Sequence, residues 1–310
     1  MWLGKRIALT TYWYATLAYR YRLLRRLVAD GQAPIMILFY HRIADDHPND
    51  WTLSTKTFQR QVDWLRHHTD LVSLEEAQRR IASGCNTRPA ACITFDDGYA
   101  DNCRFALPLL LRHRVPVTYF VSLEHVSQGV TFPHDQQAGL PLAVNTVTEL
   151  REMASAGVEI GHHTRRHADL GQVVDSAELY DELVEAGQEL ANVVDKPIRY
   201  FAFPYGLHAN LSVLAFQMAR EAGYLGVCSA YGGYNLPGED PFHLQRFHAD
   251  PEWSRFKNWV TIDPRKLSST ERYEYDGPTV KQIARGHGSC QAESTSLKST
   301  TAALPSQLTK

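Results

Sequence analysis

The 310-residue sequence has little net charge, with 32 Lys and Arg against 34 Asp and Glu for a balance of −2. It has no run of basic residues of the kind that follows a phosphate backbone, so nothing electrostatic favours nucleic acid as a partner. Cysteines are few: five, at positions 85, 92, 103, 228 and 290, with no C-x-x-C pair. An odd number without that spacing does not demand an oxidising compartment. Cys92 and Cys228 lie in apolar runs and read as small buried hydrophobes. A long hydrophobic run is missing too. The N-terminal apolar stretch from Ile7 to Tyr19 is 13 residues, short of the ~20 that span a bilayer. Lys5–Arg6 and Arg20–Arg26 flank it, and no small-residue cleavage site follows. The composition predicts an amphipathic helix over 1–30, packed on the protein or lying on a membrane surface through residues 1–28. Localisation stays open between cytoplasmic and peripheral at an inner membrane, with secretion disfavoured.

What the chain does have is alternation of short β-rich runs with helical patterns. The runs are IMILFY (35–40), ACITF (91–95), VTYFV (117–121), VEIG (158–161), YFAF (200–203) and YLGVC (224–228). Phe58, Val62 and Leu65 form one helical face behind a cap at Ser54 or Thr55. Ser73-Leu-Glu-Glu76 has capping-box spacing and leads to a stop at Gly84. Segments closing on Gly157 and Gly223 end as helices do. The expectation is an α/β fold with a mainly parallel sheet over 31–263. Residues 264–310 are rich in Ser and Thr and predict a disordered tail.

The chemistry collects where the runs end. One run stops at His41, another at Asp96-Asp97, a third at His162-His163 with His167 beyond, and Arg199 opens YFAFPYG. In parallel α/β folds the strand carboxyl ends converge on one face. His163 and His167 are i, i+4 and face one way on a helical or tightly turned segment. With one Asp they make a three-ligand site for a divalent ion, open to water. The donor set suits zinc, with cobalt, nickel or iron(II) as alternatives. His162 is the competing ligand. The other Asp is then free as a base, Arg199 is available to keep it ionised, and His41 titrates in the range of a general acid.

TFDDG (94–98), HTRRH (163–167) and RYFAFPYG (199–206) together resemble three motifs of the polysaccharide deacetylases, carbohydrate esterase family four. The resemblance covers roughly residues 34–250 and implies a distorted (β/α) barrel of about seven parallel strands. It further implies metal-dependent removal of N-acetyl groups from an N-acetylhexosamine-containing glycan. It assigns Asp96 as base, Asp97, His163 and His167 as metal ligands, and Arg199 as the tether of the base. Pro204 and Tyr205 would line the substrate pocket, with the Tyr205 N–H as an oxyanion donor. LFYHRI (38–43) is similar to the opening motif of the circularly permuted poly-N-acetylglucosamine deacetylase branch, which supports His41 as acid over His248. Asp50-Trp51 is the candidate for orienting that acid. Two other readings compete: a catalytically silent carbohydrate-binding module on the same fold, and a phospho-accepting receiver domain. The intact motif residues oppose the first. Chain length and the paired histidines oppose the second.

Overall fold

The computed structural model describes residues 3–140, 142–269 and 272–275. The apolar runs become strands of one curled parallel sheet. In chain order the strands are β1 (Ile35–Tyr40), β2 (Arg42–Ile43) and β3 (Thr52–Leu53), which form a separate two-stranded sheet, β4 (Asp70–Leu71), β5 (Ala90–Phe95), β6 (Val117–Val121), β7 (Glu159–His162), β8 (Tyr200–Ala202), β9 (Gly226–Cys228), β10 (His243–Leu244) and β11 (Phe247–His248). The sheet order is β10-β9-β8-β7-β6-β5-β1-β11, with β4 also on β5. β1 and β5 are buried along their whole length. That is why they read as unbroken apolar runs: strands covered on both faces have no polar side to show.

The two ends of the sheet are joined by one segment. Residues 243–244 pair with β9, whereas 247–248 pair with β1. Asn235 fills the break between them. Its backbone exchanges hydrogen bonds of 2.9 and 3.0 Å with Ile35, and its side chain holds both backbone groups of Gln245 at 2.9 Å. The result is a parallel half-barrel whose open side is spanned by a split strand, in agreement with the expected distorted (β/α) barrel. Alternation decides what points inward. Ile35, Ile37, Ala90, Cys92, Phe120, Tyr200, Ala202, Cys228 and Leu244 form one buried cluster, and all have the inward parity of their strands. Met36, Leu38, Ile93 and Tyr119 face the helical layer instead. Cys92 and Cys228 are buried free thiols.

The helices begin and end as their caps dictate. Thr55–His68 is capped by Ser54, Leu74–Ala82 by Ser73, and Val147–Ser155 by a full capping box of Thr146 and Glu149. Val213–Glu221 is capped by Ser212.

At the N-terminus a helix runs from Leu3 to Ala29. It docks on the helix Trp253–Val260 through polar contacts. Arg20, fully buried, donates to both oxygens of Asn258 at 2.9 and 2.7 Å, and Trp13 donates to Thr261 at 2.9 Å. No helix among the described residues is long and apolar enough to cross a membrane.

The boundary placed at residue 263 is too early. Pro264–Ser269 is helical, and Tyr273 and Tyr275 pack against the cluster around Phe216. The rest of the expected tail, 276–310, lies outside the described residues.

Candidate active site

Parity carries a set of polar side chains to the carboxyl rim of the half-barrel. Continuing the inward register of β1 gives His41, of β5 Asp96, of β7 His163, and of the closing segment Arg246 and His248. Asp97, one residue past Asp96, would point outward in a strand. It does not, because the chain turns there: Asp97 has φ 72° and Gly98 φ 89°. A Cβ on Gly98 would lie 3.1 Å from Val121 Cγ1, so the turn is tight for a side chain and its positive φ disfavours one. Thr164, His167 and Tyr205 also have positive φ, at 65°, 59° and 60°. Backbone strain of this kind gathers at functional sites when the surroundings hold it in place.

The surroundings do hold it. The His163–His167 turn is not helical; it is a bend clamped by the two arginines within it. Arg165 pairs with Asp181 and Glu189, both at 2.9 Å, and Arg166 with Glu182 at 2.8 Å. The Glu182 carboxylate also accepts from Arg166 N at 3.0 Å. These acids lie in or just after a single π-helical turn, Asp181–Glu185. His163 N bonds Val121 O, and its Nδ1 lies 2.7 Å from the Ala202 carbonyl. The carbonyl can only accept, so Nδ1 carries the proton and Nε2 presents its lone pair.

Asp97, His163 and His167 bring their ligand atoms within 4.8 Å of one another. Asp97 Oδ1 lies 3.6 Å from His163 Nε2 and 3.3 Å from His167 Nε2. It is buried and has no hydrogen-bond partner. An orphaned carboxylate oxygen facing two imidazole nitrogens is costly unless something else satisfies it, and the donor set is one a divalent transition metal accepts. These residues therefore fit a metal. His162 is not among them. It points outward, shares a 2.9 Å hydrogen bond with the Tyr224 hydroxyl, and burial pushes its pKa down to about 3.

Asp96 is held by an arginine, but not the expected one. Arg246 donates twice to it, Nη1 to Oδ1 at 2.7 Å and Nη2 to Oδ2 at 2.9 Å. The same guanidinium bonds Thr94 Oγ1 and Ser229 O, both at 3.1 Å, and lies over the Phe39 and Phe120 rings. Arg199 is a correction to the sequence reading. It precedes β8, at the opposite end of the sheet, and its partners are Glu159 and Glu75, each at 2.8 Å. From the start of a strand it has no path to the far rim. Arg246 went unrecognised because two-residue strands give no periodic signal. The available clue was a lone arginine between Leu244 and Phe247.

His41 completes the rim. Its Nε2 is 4.0 Å from Asp97 Oδ2, and its ring lies 4.5 Å from that of Trp51 and 6.2 Å from that of His248. Asn102 fixes the turn by donating to His41 O at 2.6 Å and accepting from Ile43 N at 3.0 Å. Asp50 is exposed. In the third motif, Pro204 is buried and shapes the turn, while Tyr205 is exposed with its ring 5.1 Å from His167.

The electrostatics divide the two acids. Burial alone would raise both carboxyls. Arg246, with His163 and His41, holds Asp96 below its usual range, and the imidazoles of His167, His41 and His163 do the same for Asp97. Burial lowers the pKa of His41, opposed by Asp97 and Asp96.

The polysaccharide deacetylase family model matches residues 83–227, a span that contains Asp96, Asp97, His163, His167 and Tyr205 and leaves out His41 and Arg246. A Bacillus subtilis (strain 168) protein named as a polysaccharide deacetylase, YxkH, is 24% identical over 226 residues, covering 72% of this chain and 74% of its own. The poly-β-1,6-N-acetyl-D-glucosamine N-deacetylase of Staphylococcus aureus (strain MRSA252) is 25% identical over 167 residues, covering 51% of this chain and about half, 55%, of its own. Among solved structures, the Streptococcus pyogenes deacetylase PplD in complex with acetate aligns with TM-score 0.63 at 20% identity, covering 74% of this chain and 99% of that one. IcaB from Ammonifex degensii aligns with TM-score 0.62 at 22% identity, covering 74% and 98%. At these identities the structural likeness is one of fold, and the motif-bearing span supplies the rest: residues 83–227 form a polysaccharide deacetylase domain.

Proposed function

We propose that the protein is a metal-dependent N-deacetylase acting on an N-acetylhexosamine-containing glycan. The observation that carries this is the division of labour at the rim: an orphaned Asp97 oxygen beside two imidazoles, and next to it an Asp96 kept ionised by a buried bidentate arginine. The glycan class is supported by the staphylococcal relative, whose name specifies poly-β-1,6-N-acetyl-D-glucosamine.

Asp97, His163 and His167 would hold the ion, with zinc the first candidate. When bound, a divalent cation there supplies Lewis acidity, polarising the acetamide carbonyl and making water easier to deprotonate. Asp96 takes the proton of the attacking water, and Arg246 fixes both carboxylate oxygens so that the base needs no reorganisation. The Tyr205 N–H makes no hydrogen bond among the described residues and stands in a turn with positive φ, free to donate to the developing oxyanion. His41 gives a proton to the departing amine; burial lowers its pKa, and the two nearby carboxylates oppose that shift. Trp51 and Tyr205 supply exposed rings on either side for a sugar to lie against. Water and the acetamide go to acetate and a free amine, with one proton taken by Asp96 and one returned by His41.

The test is acetate release from N-acetylglucosamine oligomers alongside metal analysis. Asp96→Asn should abolish release while keeping the metal, whereas Asp97→Asn should lose the metal. Full activity in Asp96→Asn would overturn the assignment.

A further inference from the structure

The N-terminal helix has a second face that the fold does not use. One side carries Tyr12, Trp13 and Arg20 onto the helix Trp253–Val260 and the residues after it. On the other, Ile7, Tyr14, Leu17 and Tyr21 are spaced i, i+7, i+10 and i+14, which puts them in one stripe. They are 56%, 66%, 39% and 62% exposed. Four large apolar or aromatic side chains aligned on one helix face are not scattered surface residues. The same helix carries exposed Lys5, Arg6, Arg22, Arg25 and Arg26, and no Asp or Glu anywhere from Leu3 to Ala29. Arg25 falls on the stripe itself, five turns beyond Ile7.

We propose that this face lies on an anionic lipid surface, with Ile7, Tyr14, Leu17 and Tyr21 entering the headgroup layer and the basic side chains pairing with lipid phosphates. Charge chooses this occupant over a second copy of the chain. Arg6 and Arg26 have acidic neighbours in Glu252 and Asp30, but two such helices packed face to face would bring Arg22 and Arg25 of each together with no acidic side chain on either helix between them, whereas an anionic surface complements them. Tyrosine suits the position, since its ring is apolar and its hydroxyl stays in the wet layer. The helix starts beside Glu252 and Ser254, close to the catalytic end of β11, and finishes near the start of β1. Lying on a membrane, it would set the barrel on its side with the candidate active site opening along the lipid surface. The inference does not depend on the reaction proposed above.

The experiment is co-sedimentation of the full chain with phosphatidylcholine vesicles, with and without phosphatidylglycerol. The wild type should bind the anionic vesicles and lose that binding as salt is raised. Tyr14→Asp/Leu17→Asp and, separately, Arg22→Gln/Arg25→Gln should each weaken partitioning at least about tenfold. All four positions are exposed, so the melting temperature should stay at the wild-type value, which separates lost binding from lost fold. Wild-type binding no tighter to anionic than to neutral vesicles overturns the proposal, and so does unchanged binding in both variants. A salt-stable dimer abolished by Tyr14→Asp/Leu17→Asp, without vesicle binding, would assign the face to a second copy and overturn it equally.

Discussion

Two arginine–carboxylate pairs sit at opposite ends of the same half-barrel, and they differ in almost everything but chemistry. At the carboxyl rim Arg246 and Asp96 are 0% and 4% exposed and meet in bidentate geometry. At the amino end Arg199 is 35% exposed and divides itself between Glu159 and Glu75, the latter 62% exposed. A half-solvated pair contributes little, because water screens it and two long side chains must be held still. A buried pair is a poor source of net stability as well, but removing one partner strands the other. The buried pair fixes both oxygens of Asp96, whereas Arg199 divides itself between a largely buried Glu159 and an exposed Glu75.

The largest expected effect breaks the symmetry outright. Asp96→Asn should cut acetate release at least about a thousandfold, and Asp97→Asn or His163→Ala should remove bound metal and activity together. If Asp97→Asn keeps stoichiometric metal, the ligand assignment is wrong. Next comes Arg246. Arg246→Met should lose activity and about 3–5 kcal/mol of stability, since Asp96 would be left as an unpaired buried charge. Because that variant risks unfolding, Arg246→Lys is the sharper probe: it keeps the charge but not the fork. It should fold, and kcat should fall about tenfold or more while metal content is unchanged. The matching change at the other end, Arg199→Ala, should leave kcat within about twofold and cost about 1 kcal/mol or less. An Arg199→Ala variant as impaired as Arg246→Lys would restore the assignment made from sequence.

That misassignment marks where sequence stops being informative. The strands from Ile35 to Tyr40 and Ala90 to Phe95 were legible because burial on both faces leaves an unbroken apolar run. The helices at Thr55, Leu74 and Val147 were legible because caps are local chemistry. Asp96, Asp97, His163 and His167 were found because each follows a strand or its turn at fixed spacing. Even the choice of His163 over His162 was available from alternation, since only one of two neighbours can face inward. Arg246 depends on something non-local: a segment of two-residue strands spliced by Asn235, whose direction is set by partners more than 200 residues away at Leu38 and Phe39. The clamp of Arg165 and Arg166 on Asp181, Glu182 and Glu189 was hidden for the same reason. The packing of Tyr273 and Tyr275 was hidden because they find an aromatic cluster only once Phe216 is in place.

The smallest effect tests the exposed pair by its sign. Burial raises the Glu159 carboxyl above its ordinary range, and Arg199 only partly offsets this. The folded state therefore binds that proton more tightly than the unfolded chain. By linkage, the favourable contribution is present below the unfolded value of about 4.5 and is lost as pH rises through the folded value. Glu159→Gln cannot titrate, so its stability relative to wild type should improve as pH is raised from about 4.5 to 7. Urea midpoints at those two pH values measure it. Combining Glu159→Gln with Arg199→Ala should enlarge nothing, because a neutral side chain no longer needs the guanidinium, whereas Arg199→Ala alone should steepen the loss at high pH. If wild type instead gains on the variant with rising pH, Arg199 does more than offset burial, and the two ends of the barrel are more alike than their exposure suggests.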